Sequence, residues 1–299
     1  MPAAPRPAAA LPAARRFAQL DVFAHSPGAG NPLAVVVDAE GFDDTAMQAF
    51  ANWTNLSETS FLLPPTQPGA SYRVRIFTPR QELPFAGHPS VGAAHAALDA
   101  GLAQAVDGRL VQECAAGLLP VRVEGDGSQR KIFVRAPRAR QVQAPERAQD
   151  WWQVLEDLPR GGLPIALLDN GPRWWLVQLA DEAAVRGMLP PQDAIGRLLE
   201  ASGAVGLAVF AASGEDGIDL VVRCFCPSDG IPEDPVTGSA NACIAEWLRA
   251  NDALPSRLYV ASQGREVGRD GRVEVQVDDE DETWIGGLTQ TVVDGSLEW

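Results

Sequence analysis

The stretch Ile231-Pro232-Glu233-Asp234-Pro235-Val236-Thr237-Gly238-Ser239-Ala240-Asn241-Ala242 decides how the chain is read. It describes a strand exit with two carboxylates, a rigid turn, and a helix opened by Gly-Ser that continues through Ala245, Trp247 and Leu248. Pro232 and Pro235 fix φ and remove backbone donors, so the loop has few conformations to lose when it orders. Gly238 permits close backbone approach. The unpaired N–H groups at the helix start then form a receptor for an anion, above all a carboxylate.

The construction occurs twice. Val74-Arg75-Ile76-Phe77-Thr78-Pro79 leads to Leu83-Pro84-Phe85-Ala86-Gly87-His88-Pro89 and a helix of small residues over 91–98. Val222-Arg223-Cys224-Phe225-Cys226-Pro227 leads in the same way to Gly238-Ser239. Both copies read V-R-x-F-x-P, a proline-bearing loop, then glycine and a polar residue at a helix start. An internal duplication predicts two half-molecules, each presenting one helix N-terminus. Where both ends face one cleft, a bound carboxylate gains roughly 0.3–1 kcal/mol from each.

A chain of 299 residues fits two domains of ordinary size. With 46% hydrophobic and 21% charged residues, the composition is that of a globular protein, and 28 glycines with 24 prolines point to many turns. The net charge of −15 argues against nucleic acid or an anionic membrane as partner, since both need a basic face. No apolar run reaches bilayer-spanning length. Four cysteines (Cys114, Cys224, Cys226, Cys243) are too few for a disulfide framework and predict a cytoplasmic protein with free thiols. Cys224 and Cys226 share one strand face and read as small core residues. The alternative, a metal site, finds no Cys-x-x-Cys or His-x-x-x-His spacing to support it.

Residues 1–16, rich in Ala and Pro and without an acid, read as a flexible extension. Strands are expected over 17–23 and 32–37 around a turn held by Gly28, Gly30 and Asn31, then a helix over 43–52 capped by Asp43 or Asp44. Further strands are expected over 109–114, 119–124, 131–134, 165–169, 174–179, 206–212, 219–225, 257–261, 273–277 and 289–293. Helices are expected over 151–158, 181–188 and 192–202. This is strand-heavy around two central helices, without the regular rhythm of a doubly wound sheet. Glu58, flanked by Ser57 and Thr59, stands ahead of the apolar Phe61, Leu62 and Leu63. A carboxylate partly buried there holds its proton more tightly, which suits proton transfer. A surface turn glutamate is the plain alternative, and His95 reads as a packed helix residue.

The blocks Gly30-Asn31-Pro32-Leu33-Ala34-Val35, Asn55-Leu56-Ser57-Glu58-Thr59, Phe77-Thr78-Pro79, Glu82-Leu83-Pro84-Phe85-Ala86-Gly87-His88-Pro89, Glu233-Asp234-Pro235-Val236-Thr237-Gly238-Ser239-Ala240 and Gly286-Gly287 together resemble the phenazine-biosynthesis PhzF-like family. That family shares its fold with diaminopimelate epimerase and proline racemase. The likeness runs from about residue 17 to the C-terminus. It implies an α+β fold of two pseudo-symmetric domains, each a curved, barrel-like mixed β-sheet around a central helix, with the active site in the cleft between them. The N-terminal domain is expected over 17–117, completed by 285–299, and the C-terminal domain over 118–284.

The resemblance also implies a homodimer, no cofactor, no metal and a small carboxylate substrate. The family's best-known activity is cofactor-free isomerisation of trans-2,3-dihydro-3-hydroxyanthranilate, in which a proton moves between carbons. Glu58 matches the proton-transferring position, and His88, Asp234 and Ser239 match the other polar positions. The backbone of Gly87, His88, Gly238 and Ser239 matches the carboxylate-binding ends. Epimerase relatives carry a cysteine at each helix start, where this chain has Ala86 and Thr237, so a two-thiol racemase is disfavoured. Asn241 stands where many members have histidine, an expected change to the pocket. Without the family, His88 reads as an N-cap that starts the helix before Pro89, Ser239 as a helix-capping residue and Asp234 as a turn-stabilising carboxylate. Two rivals remain: a hydrolase on Ser239, His88 and Asp234, which lacks a Gly-x-Ser-x-Gly elbow, and a non-catalytic small-acid binding protein.

Overall fold

The computed structural model describes residues 14–145 and 152–299. Most of the expected extension over 1–16, and the first residue of the helix expected over 151–158, lie outside the described residues. The first half of the chain runs β1 (Arg15–Val22), β2 (Asn31–Val36), α1 (Asp44–Thr54), β3 (Thr59–Leu63), β4 (Tyr72–Phe77), β5 (Glu82–Leu83), α2 (Gly87–Asp99), β6 (Arg109–Cys114), β7 (Gly117–Glu124) and β8 (Lys131–Arg135). There follow β9 (Arg140–Gln141), α3 (Gln153–Glu156), β10 (Ala166–Asp169), β11 (Arg173–Gln178), α4 (Glu182–Arg186), α5 (Gln192–Ser202), β12 (Gly206–Ala212), β13 (Leu220–Cys226) and β14 (Ile231–Asp234). The chain ends with α6 (Gly238–Ala250), β15 (Leu258–Gln263), β16 (Gly271–Val277) and β17 (Thr283–Leu297).

Pairing closes strands β1-β2-β3-β4-β6-β7-β8-β17 into a ring, with β2–β3 and β4–β6 parallel and the other neighbours antiparallel. The same order recurs in β10-β11-β12-β13-β15-β16-β17, where β11–β12 and β13–β15 are the parallel pairs. The copies also agree in register: Phe77 pairs with Thr59 as Phe225 pairs with Leu207. Ring pairing continues past residue 117, because β7 turns back on β6 and β8 on β7 before β8 meets β17.

The repeated V-R-x-F pattern has a physical basis. Val74, Ile76, Val222 and Cys224 alternate into the core. Each arginine lies over the phenylalanine two residues on, 5.1 Å from its ring in both copies. Each also grips a glutamate of the short strand that follows, β5 or β14, with two N–H groups: Arg75 holds Glu82 at 2.7 and 2.7 Å, and Arg223 holds Glu233 at 2.9 and 2.8 Å. The fork ties the segment ahead of each central helix to the sheet.

Helix α2 is buried along nearly its whole length, and its run of Gly and Ala lets the ring close around it. At Gly92 an added Cβ would stand 2.4 Å from Leu33 Cδ2, so nothing larger fits without displacement. Helix α1 begins as expected, with Asp43 accepting from the Ala46 amide at 2.8 Å. Strand β17 is much longer than the expected 289–293, because its first half contains Gly286 and Gly287, which hide its pattern. Gly286 is needed there for space: a Cβ would lie 2.2 Å from the Ile132 carbonyl oxygen on β8.

Candidate active site

Helices α2 and α6 meet end to end. An added Cβ on Gly87 would stand 3.6 Å from the Gly238 Cα, and one on Gly238 3.7 Å from the Gly87 Cα, so the two helix starts lie within van der Waals reach of each other. The N-cap residues are Ala86 and Thr237, and neither gives its helix a side-chain cap. His88 is therefore not the cap that a helix-start reading makes it. The positive ends of two helix dipoles converge at this point.

Glu58 sits in the loop entering β3 and points to the first turn of α2. Its Oε2 lies 3.4 Å from Nε2 of His88, with side chains only 17% and 8% exposed. The surface-turn alternative for Glu58 is thus set aside. Burial pushes the His88 imidazole down to about 3, so it is neutral at physiological pH.

Asp234, at the end of β14, is held from both halves. Its Oδ1 accepts from the Asn31 amide at 3.3 Å, and its Oδ2 from the Thr237 hydroxyl at 2.6 Å. Asn31 also donates to the Val236 carbonyl at 2.8 Å. Burial pushes the Asp234 carboxyl up to about 6, against the pull of the Thr237 and Asn31 hydrogen bonds. Behind it, Gln263 donates to the Thr237 hydroxyl and to the Asp234 carbonyl, and accepts from the Thr237 amide and from Asn241. Asn241 is fully buried and also donates to the Thr237 carbonyl, so it braces the turn from behind.

Ser239 lies in the first turn of α6. Its Oγ accepts from the indole N–H of Trp174 at 3.1 Å, and its carbonyl from the Asn170 amide at 3.0 Å. Phe23, at φ +60°, packs its buried ring near Gly238. The hydrogen bonds do not link Ser239, His88 and Asp234 as a hydrolytic triad, since each is engaged by a different neighbour. All four cysteines are free and buried, and burial raises the Cys224 and Cys243 thiols far above their ordinary value. Among the described residues no group of three His, Cys, Asp or Glu side chains is placed to hold a metal, and no helix is long and apolar enough to cross a membrane.

The sequence reading missed Gln263, Trp174 and Asn170. Each reaches the site from a distant strand or hairpin, and none belongs to a local pattern. Asn31 was legible as part of Gly30-Asn31-Pro32, but its hold on Asp234 spans the two halves.

Residues 20–295 match the family described as phenazine biosynthesis-like protein. A protein of Schizosaccharomyces pombe named antisense-enhancing sequence 1 is 32% identical, over 93% of this chain and 97% of its own length. The trans-2,3-dihydro-3-hydroxyanthranilate isomerase of Pseudomonas aeruginosa is 34% identical, over 86% of this chain and 88% of its own. The crystal structure of a Bacillus anthracis PhzF-family phenazine biosynthesis protein superposes with a TM-score of 0.79 at 25% identity, covering 96% of this chain and 99% of that one. With its ring of strands around a buried helix and its paired helix starts, the chain belongs to the phenazine biosynthesis-like, or PhzF-like, family and is an enzyme of its isomerase class.

Proposed function

We propose that the protein is a cofactor-independent isomerase that moves a proton between carbons of a small carboxylic acid resembling trans-2,3-dihydro-3-hydroxyanthranilate. The observation that carries the reading is the Glu58 carboxylate lying 3.4 Å from a buried, neutral His88 beside two abutting helix starts. The name of the Pseudomonas aeruginosa relative supports the substrate class.

In this reading the substrate carboxylate docks on the backbone N–H groups of Gly87, His88, Gly238 and Ser239. Glu58 takes a proton from carbon and becomes a carboxylic acid. The electron pair left behind delocalises into the adjoining π system, and Glu58, whose acquired proton exchanges with solvent while the intermediate lasts, delivers a proton to another carbon of that system. Atoms and charge balance without an oxidant or reductant. Such acid/base catalysis contributes on the order of 10²–10⁴-fold, and orientation adds to it. His88 and Asp234 position the substrate or relay protons. The four buried free thiols accord with a cytoplasmic setting, and the family habit suggests a homodimer.

The test is turnover of trans-2,3-dihydro-3-hydroxyanthranilate in D₂O followed by NMR. Isomerisation with deuterium entering the product supports the reading. Binding without turnover by the wild type overturns it for this substrate and favours a small-acid binding protein.

A further inference from the structure

The two halves place different groups at equivalent positions beside their central helices. Because Phe77 pairs with Thr59 and Phe225 with Leu207, the residue equivalent to Glu58 is Gly206. His88 and Ser239 correspond as the residues following the first glycine of each helix. The second half therefore has no acid where the first has one.

That place is filled from the neighbouring strand. Trp174 of β11 is the parallel-register partner of Gly206, and an added Cβ on Gly206 would lie 2.2 Å from the Trp174 ring carbon Cζ3. Gly206 is not in the left-handed region, so its lack of a side chain serves space and not backbone conformation. The buried indole occupies the gap and delivers its N–H to Ser239 Oγ. The position on β2 equivalent to Trp174 is Leu33, which has no such donor.

An indole N–H only donates, and a hydroxyl has one proton and two lone pairs. With one lone pair engaged by Trp174, the Ser239 hydroxyl turns its own proton elsewhere. We propose that Trp174, seated by Gly206, is a positioning residue that presents the Ser239 hydroxyl as a hydrogen-bond donor to the substrate carboxylate. The inference rests on the isomerase reading only for the identity of that carboxylate. Asn170 supports the arrangement from the same hairpin by holding the Ser239 carbonyl.

The experiment combines the indole N–H resonance of Trp174 with kinetics on trans-2,3-dihydro-3-hydroxyanthranilate. In ¹⁵N-tryptophan-labelled protein, Ser239→Ala should shift the Trp174 N–H signal, and adding benzoate as a plain carboxylate should shift it in wild type but not in Ser239→Ala. Trp174→Phe, which keeps an apolar ring and deletes the donor, should raise KM about 10-fold with kcat within about 2-fold, the scale of one charge-assisted hydrogen bond. Trp174→Phe combined with Ser239→Ala should be no worse than Ser239→Ala alone. Loss of kcat at unchanged KM, or fully additive effects, would overturn the proposal, as would an indole signal indifferent to Ser239→Ala or to benzoate. Should Trp174→Phe fail to fold, the resonance measurements on wild type and Ser239→Ala decide the matter. A wild type without turnover whose indole signal responds as expected would remove the isomerase reading for that substrate and leave this proposal standing.

Discussion

Asn31 donates its side-chain amide to Asp234 across the boundary between the two halves, at 3.3 Å. The acid of one half is thus tuned by an amide from the other, and with Thr237 it opposes the upward pull of burial on the carboxyl, which stands at about 6. The conformation of the turn ahead of α6 and the charge on Asp234 are coupled.

In the isomerase reading the ionised Asp234 is the working form, because both its oxygens accept hydrogen bonds. The kcat/KM profile of the wild type should therefore fall on the acid side with a midpoint near 6. In Asn31→Ala, which removes a bond that favours the anion, the midpoint should move to higher pH. In Asp234→Asn that limb should disappear from whatever activity is left.

The duplicated arginine forks differ in burial, and their contributions should differ accordingly. Arg223 and Glu233 are 5% and 8% exposed, whereas Arg75 and Glu82 are 19% and 34% exposed. Arg223→Ala leaves Glu233 buried without its partner and should cost about 3–5 kcal/mol in urea unfolding. Arg75→Ala should cost roughly 1 kcal/mol.

Two buried histidines make the fold sensitive to acid. Burial pushes His88 down to about 3, and pushes His95 down to about 4, where Asp99 pulls upward and Arg130 adds to the lowering. Their unfolded value is about 6.5. Between these limits the unfolded chain binds more protons, so stability complete above about 6.5 should fall as pH drops toward 4 and then 3. Asp234, raised in the fold, works in the opposite sense between about 4 and 6. Denaturant melts of wild type and His95→Gln at pH 7 and pH 5 should show a smaller acid loss in the variant.

The legible parts of this molecule were those with local chemistry. Proline-bearing loops, the glycines at two helix starts and the twin V-R-x-F strands are written in contiguous residues, and the two central helices followed from them. The ring closure was harder to read, because it depends on β17 pairing with β1, β8 and β16, and two glycines interrupt that strand. Within the candidate site, Glu58, His88, Asp234 and Ser239 are singled out by the family resemblance, whereas local pattern alone reads His88 and Ser239 as helix caps and Asp234 as a turn carboxylate. The groups that orient them were not legible, since Gln263 reaches Thr237 and Trp174 reaches Ser239 only after the chain has folded.

The central claim is that Glu58 moves the proton. The direct measurement is NMR of trans-2,3-dihydro-3-hydroxyanthranilate in D₂O with wild type beside Glu58→Gln, a variant of nearly the same shape. The account predicts isomerisation with solvent deuterium in the product for wild type, and a loss of at least about 10²-fold in the variant with binding retained. Undiminished turnover and deuterium incorporation in Glu58→Gln would contradict it.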